Sequence, residues 1–178
     1  MEFQEVQKLK LWWLYLLLGI ETIIVSSVLF LDKGGITLHE LKESYFAPIW
    51  ALALPYVIIY FVTKNSLTLL IDQFGVSYRY WPFTKRREIS WTRINKMYLR
   101  KYDALGEYGG WGVKHRLWFK FNDKAYIFND NTTGLQLELS NNKKILFSTT
   151  KPDELALFLI NLKRQYHIGA IESDVRER

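Results

Sequence analysis

The 178-residue chain has no cysteine, which excludes disulfides and thiolate metal sites and is compatible with a cytosolic domain. Its three histidines, His39, His115 and His167, lack metal-ligand spacing and fall in different segments, so no metal site is expected. There is no phosphate-binding glycine loop, no Gly-x-Ser-x-Gly elbow and no kinase signature. Neither an enzymatic activity nor a cofactor is therefore expected. Positive charge is scarce in the first third. Of the 24 basic and 18 acidic residues, four and six fall in residues 1–63, leaving 20 and 12 in the remainder, a net charge of +8 there. Hydrophobicity is concentrated in the first part and positive charge in the second, the pattern of an anchor joined to a module beside an anionic surface.

Leu11 to Leu31 contains a single ionisable side chain, Glu21. At 1.5 Å per residue this run makes about 31 Å of helix, close to the roughly 30 Å of a bilayer's hydrocarbon core. Phe46 to Val62 has no charge, and with Ser44, Tyr45 and Thr63 it reaches about 30 Å. Trp12, Trp13, Tyr45 and Trp50 lie near the ends, where aromatic rings favour the headgroup zone. The pattern predicts a two-helix transmembrane hairpin within residues 1–63, with spans at about 11–31 and 45–63. A cleaved signal peptide fits poorly: the run is too long and no small-x-small site precedes Asp32. A buried soluble helix would show a polar face, which the second run lacks. Lys8, Lys10 and Lys64 flank the spans against a near-neutral loop, placing both termini in the cytosol at the cell membrane. Tyr15, Gly19, Thr22 and Ser26 share one helix face and Ala47, Ala51 and Pro55 another, so these faces are expected to meet. Glu21, near mid-membrane, is expected to be neutral and buried between helices, with Tyr56 at a compatible depth.

After Lys64 short β-like runs alternate with turn signals. Strands are expected at Ser66–Asp72, Val76–Trp81, Arg87–Trp91, Lys96–Tyr102, Leu117–Phe121, Lys124–Phe128, Leu135–Leu139 and Lys144–Thr149. Turns are expected at Gln73–Gly75, Thr92–Asn95, Asn122-Asp123 and Asn141-Asn142, and a shaped loop at Gly106–Gly112. Leu155, Phe158, Leu159 and Leu162 fall on one face, predicting an amphipathic helix at Pro152–Tyr166 with Asp153 and Glu154 in its first turn. Residues 167–178 read as a flexible tail. The expected fold is a mainly antiparallel barrel or sandwich over residues 66–166, capped by one C-terminal helix.

This order of elements, with Glu107-Tyr108-Gly109-Gly110-Trp111-Gly112-Val113 and with Gly134–Leu139 running on to Ser148–Leu155, resembles the small bacterial membrane-anchored pleckstrin-homology-like (PH-like) proteins that carry an EYGGWG segment. The resemblance implies a non-enzymatic PH-like domain behind a membrane hairpin. Phosphoinositide-binding PH domains place cations between their first two strands. Here that loop reads as Asp72-Gln73-Phe74-Gly75, with none, so phosphoinositide specificity is not implied.

The candidate lipid- or partner-binding surface is Lys85, Arg86, Arg87, Arg93, Lys96, Arg100 and Lys101, interleaved with Trp91, Tyr98 and Tyr102. Such interleaving also suits nucleic acid, but an anchored domain already faces anionic lipid, which makes nucleic acid the weaker reading. The candidate recognition loop is Glu107, Tyr108, Gly109, Gly110, Trp111 and Gly112, with Trp111 either a wedge into headgroups or a lid on the barrel. Glu107 and Asp103 read as loop polar groups rather than a catalytic pair. Three functions follow: a module mediating protein or anionic-lipid contacts, an accessory subunit of a transporter or membrane enzyme acting through Glu21, and a nucleic-acid tether. A protein partner or a homo-oligomer is compatible with the first.

Overall fold

The computed structural model describes residues 1–8, 12–31, 37–43, 47–118, 120–128 and 131–172. The span residues Leu11, Tyr45 and Phe46, the flank Lys10 and the end of the expected tail lie outside them. Contacts divide the chain into two compact units, Leu9–Asn65, and Met1–Lys8 together with Ser66–Arg178.

The helical unit comprises α1 (Trp12–Leu31), α2 (Leu38–Glu43) and α3 (Ala47–Lys64). α1 and α3 are long and apolar enough to cross a membrane, and only 6% of the residues in each spanning window are buried. A soluble core helix would be mostly covered; these two present their apolar side chains outward. Leu18 and Ile59 are their buried residues. Thr22 Oγ1 donates to the Leu18 carbonyl at 2.8 Å and lies 2.7 Å from the Tyr56 hydroxyl. The helices thus meet along Leu18–Thr22 and Tyr56–Ile59. Of the expected small-residue face, Thr22 is in the contact, whereas Gly19 is not, since a Cβ there would meet nothing within 4 Å.

The other unit begins with a strand that the sequence pattern did not reveal. β1 (Phe3–Lys8) precedes the helices and pairs antiparallel with β2 (Ser66–Ile71), which follows them, in the register Phe3 to Ile71 and Lys8 to Ser66. The expected division at residue 63 is therefore corrected: the helical hairpin is an insertion within the β domain. β3 (Gly75–Trp81) and β4 (Arg87–Ser90) complete a four-stranded meander ordered β1-β2-β3-β4. Asp72–Gly75 consequently joins the second and third strands, not the first two. Ser66 lies opposite Trp81, so the β3–β4 connection leaves the sheet at the end where the chain departs to and returns from the helices.

A 3₁₀ turn, Trp91–Arg93, leads into β5 (Ile94–Lys101) in place of the expected Thr92–Asn95 turn. The second sheet is ordered β5-β8-β9-β7-β6, with β6 at Gly112–Arg116, β7 at Lys120–Ile127, β8 at Thr133–Leu139 and β9 at Lys144–Ser148. β7 runs parallel to β9, and every other pairing is antiparallel. The Asn122-Asp123 turn is not formed. β7 continues through these residues with a register irregularity against β6 between His115 and Arg116, the Asp123 carboxylate is buried in ion pairing, and the reversal falls at Leu117-Trp118, where Trp118 takes φ 65°. Between β5 and β6 the expected glycine loop contains a short helix, α4 (Ala104–Tyr108), whose first turn is capped by Asp103 accepting from the Leu105 amide.

Alternation in β2 turns Leu67, Leu69 and Ile71 inward. Opposing aromatics close the core: Tyr78 lies 4.9 Å from Phe147 and 5.2 Å from Tyr126, ring to ring. Each fully buried side chain of this size contributes roughly 1.5–3 kcal/mol. α5 (Pro152–Tyr166) matches the expected helix and buries Leu155, Leu159 and Leu162. The expected tail is docked rather than free as far as residue 172. Ile171 is fully buried and bridges to Met97, and the Glu172 amide donates to the Met97 carbonyl.

Strand β1 also closes the domain by polar contacts. Buried Glu5 accepts from Thr149 Oγ1, the Thr150 amide and Thr150 Oγ1, all at 2.7 Å, just ahead of α5, and Gln7 bonds the Ser148 backbone and side chain. A carboxylate near a helix N-terminus is favourable, and its loss strands donors in the interior. Glu5→Ala should therefore cost about 3 kcal/mol, measured by denaturant unfolding of the full chain in detergent, whereas exposed Glu2→Ala should be nearly silent.

Candidate functional site

The seven expected surface cations do not form one patch. Arg100 is not on the surface at all. It is buried, with Nη1 3.1 Å from Glu107 Oε2, Nε donating to Gln136 Oε1 and Nη2 donating to the Tyr108 hydroxyl at 2.8 Å. Arg93 is exposed just beyond Ser90, at the end of the first sheet opposite the helical insertion. Lys96 lies 3.6 Å from Glu172, and exposed Lys101 is at the other end of β5. Lys85, Arg86 and Arg87 do lie together, where the β3–β4 connection enters β4. Lys85 is exposed in the connection, Arg86 spans to Ser77 Oγ (3.3 Å) and Glu88 (3.1 Å), and Arg87 opens β4 opposite Tyr78. Their neighbourhood to one another is local; the meander places the turn that carries Lys85 at the insertion end of the sheet, whereas Arg87, opposite Tyr78, lies further along it.

The same end carries groups that the sequence reading passed over. Trp81 is 46% exposed and Phe83 69%. Arg79 stacks over the Trp81 ring at 5.1 Å, and the Phe83 and Tyr80 rings stack at 5.6 Å. The turn is clamped by Thr84, whose amide donates to the Tyr80 carbonyl at 2.7 Å and whose hydroxyl accepts from the Tyr80 amide. The signal was an aromatic on each side of Pro82 directly before the basic run, read above only as the end of a strand. A second exposed aromatic group, Trp118 (86%) with Phe121 (68%), caps the β6–β7 turn.

The Glu107–Gly112 segment divides by role. Glu107 and Tyr108 are buried members of a charge-balanced cluster. Glu107 takes Arg100 and Arg116, Asp123 takes Arg116 at 3.2 Å, and the Tyr108 hydroxyl donates to Asp123 Oδ1 at 3.1 Å. Burial holds the Tyr108 phenol well above its ordinary value, so it stays protonated as that donor. Gly109 closes α4 in the left-handed conformation (φ 70°), where glycine carries no Cβ penalty. Trp111, at 44% exposure, is not a lid: Tyr108 fills the interior instead. Asp103 is spent on capping, so Glu107 and Asp103 are structural groups.

In the helical unit Tyr56 pairs with Thr22, not Glu21. Glu21 is exposed on α1 and makes no hydrogen bond or ion pair with the described residues, which corrects its expected burial between the helices. The physical reason is angular. Thr22, four residues from Leu18, occupies the face turned to α3, and Glu21 is rotated about 100° away from it.

Among the described residues no cluster of three or more His, Asp or Glu could hold a metal ion. No known protein-family model matches the chain, and no curated protein is significantly similar to it.

Removing one partner of a buried ion pair leaves an uncompensated charge. Glu107→Ala should cost about 3–5 kcal/mol in equilibrium unfolding, and Trp111→Ala less than about 1 kcal/mol. Comparable losses in both would restore Trp111 as an interior lid.

Proposed function

We propose that this chain is a non-enzymatic, membrane-anchored PH-like module that holds its β domain against the cytosolic face of the membrane and contacts anionic headgroups there. One observation carries the reading. The loop bearing Lys85 and Arg86 leaves the first sheet at the end where Lys8 and Ser66 connect to the two apolar helices. A domain suspended from that end brings Lys85 to the lipid surface, where a cation contributes roughly 1 kcal/mol beside anionic headgroups, while Arg86 is turned back along the sheet to Ser77 and Glu88.

The PH-like assignment is supported by a four-stranded meander, a β5-β8-β9 meander and a closing helix; α4, β6 and β7 are an excursion between β5 and β8. In this arrangement the connection between the first two strands is the helical hairpin itself. That leaves no cationic phosphoinositide loop, and the expected ligand is a general anionic surface. Both ends of the hairpin must lie on one side, because β1 and β2 form one ladder. Lys8 and Lys64 beside the spans support a cytosolic location, and cleavage after the first span would remove a strand.

The charge reading is tested on the full chain reconstituted into phosphatidylcholine vesicles with or without phosphatidylglycerol. Hydrogen exchange across residues 82–87 should slow with phosphatidylglycerol, revert at high salt, and revert in Lys85→Gln/Arg86→Gln. Identical exchange in both lipids would refute headgroup contact. For topology, the absence of native cysteine permits unique labels. Thr37→Cys should react with an impermeant maleimide in intact cells and Asn141→Cys should not; the reverse pattern would overturn the orientation.

A second reading is favoured by Glu21. An exposed carboxyl in mid-span is costly in hydrocarbon, so α1 offers it to a helix of another membrane protein, as an accessory subunit would. Glu21→Leu should then dissolve that association in mild detergent while leaving the β domain folded.

A further inference from the structure

We infer that Trp81 and Phe83 form an aromatic wedge inserted into the interfacial layer of the bilayer that holds the anchor. The inference rests on the membrane-anchored reading and names a contact that charge alone does not supply. Trp81 is the cross-strand neighbour of Ser66, about 4.8 Å away between strands. Ser66 follows the last residue of α3, Lys64, by two positions, about 7 Å of chain. Connectivity alone therefore holds Trp81 within about 12 Å of the end of the spanning helix, whatever the tilt of the domain. α3 has 18 residues, about 27 Å of helix, slightly short of the roughly 30 Å hydrocarbon core. That mismatch draws the start of β2, and Trp81 beside it, toward the headgroups.

The side chains suit that depth. Tryptophan and phenylalanine with adjacent cations are the composition of interfacial anchors, and here Arg79 lies over the Trp81 ring while Lys85 follows in the same turn. The turn is also held before any lipid arrives. Phe83 stacks on Tyr80, and Thr84 clamps the Tyr80 backbone at both its amide and its carbonyl, so little ordering entropy opposes insertion. In water, Phe83 would remain two-thirds exposed at 69% on a rigid turn, an unfavourable display that a bilayer interface relieves. The exposed Phe74, at the opposite end of the same sheet, has the same residue type without the proximity and serves as the internal control.

The chain has no cysteine, so Phe83→Cys and Phe74→Cys each accept one environment-sensitive fluorophore in the full-length protein. Both are reconstituted into phosphatidylcholine vesicles containing lipids brominated near the headgroup. The label at 83 should be quenched at least threefold more than the label at 74, and in pure phosphatidylcholine as well as with phosphatidylglycerol, since insertion of a ring needs no anionic charge. Equal quenching at 83 and 74, in protein whose circular dichroism is unchanged, would overturn the wedge. If hydrogen exchange over 82–87 still responds to phosphatidylglycerol while the label at 83 stays aqueous, the headgroup contact stands and the wedge alone fails. A label at 83 quenched only with phosphatidylglycerol would likewise overturn it, reducing the contact to charge.

Discussion

The pairing of β1 with β2 is the constraint on which the rest of this structure depends. Six residues from before the helical insertion align with six from after it. The β domain is thus complete only when both ends of the hairpin have returned to the same place. This one ladder sets the end of the sheet at which the chain leaves for the helices, and through the meander the β3–β4 turn falls at that same end of the sheet. It also seats Phe3 against Phe158 of α5 and delivers Glu5 to Thr149 and Thr150. The first eight residues therefore act as a clasp between the first sheet, the end of β9 and the closing helix.

Much of the second unit was legible because its signals are local. The Leu135-Leu137-Leu139 alternation, the Asn141-Asn142 turn and the Leu155-Leu159-Leu162 stripe each reside within one element, and each is found where the pattern places it. β1 was not legible for a physical reason. In Phe3-Gln4-Glu5-Val6-Gln7-Lys8 the inward positions are Phe3, Glu5 and Gln7, so two of three core-facing side chains are polar, and their partners lie in the last third of the chain, Ser148 being 141 and Thr149 144 residues away. Alternation of hydrophobicity is inverted there, with Val6 turned outward. The β6–β7 turn failed for a related reason. Asn-Asp is a turn signal only when its carboxylate is free to serve the local backbone, and Asp123 is held by Arg116 and Tyr108 instead.

The candidate site shows the same division between composition and placement. A run of cations in sequence is dispersed in the fold: Arg100 lies inside a balanced ion cluster, Arg93 at the far end of the first sheet, Lys96 beside Glu172, Arg86 against Ser77 and Glu88, and Lys85 in the turn at the insertion end. Charge counting cannot separate these, because burial of Arg100 requires Glu107 to arrive from α4. The EYGGWG segment combines buried Glu107 and Tyr108 with glycines that shape the return into β6, so in this chain much of it serves the folding of the excursion. The exposed aromatics of the β domain include Trp81 and Phe83 at one turn, Trp118 and Phe121 at another, and Phe74 at the opposite end of the first sheet.

The central claim is that the hairpin interrupts a single β domain. Lys8 and Ser66 are directly paired, so Leu9–Asn65 can be replaced by Asn-Gly, a two-residue connection suited to antiparallel strands. The decisive measurement is cooperative urea unfolding of that shortened chain beside residues 66–178 alone. The Asn-Gly chain should be soluble and unfold in one cooperative transition, whereas 66–178 alone, lacking β1, should show none. Equally cooperative unfolding of 66–178 by itself would contradict that claim.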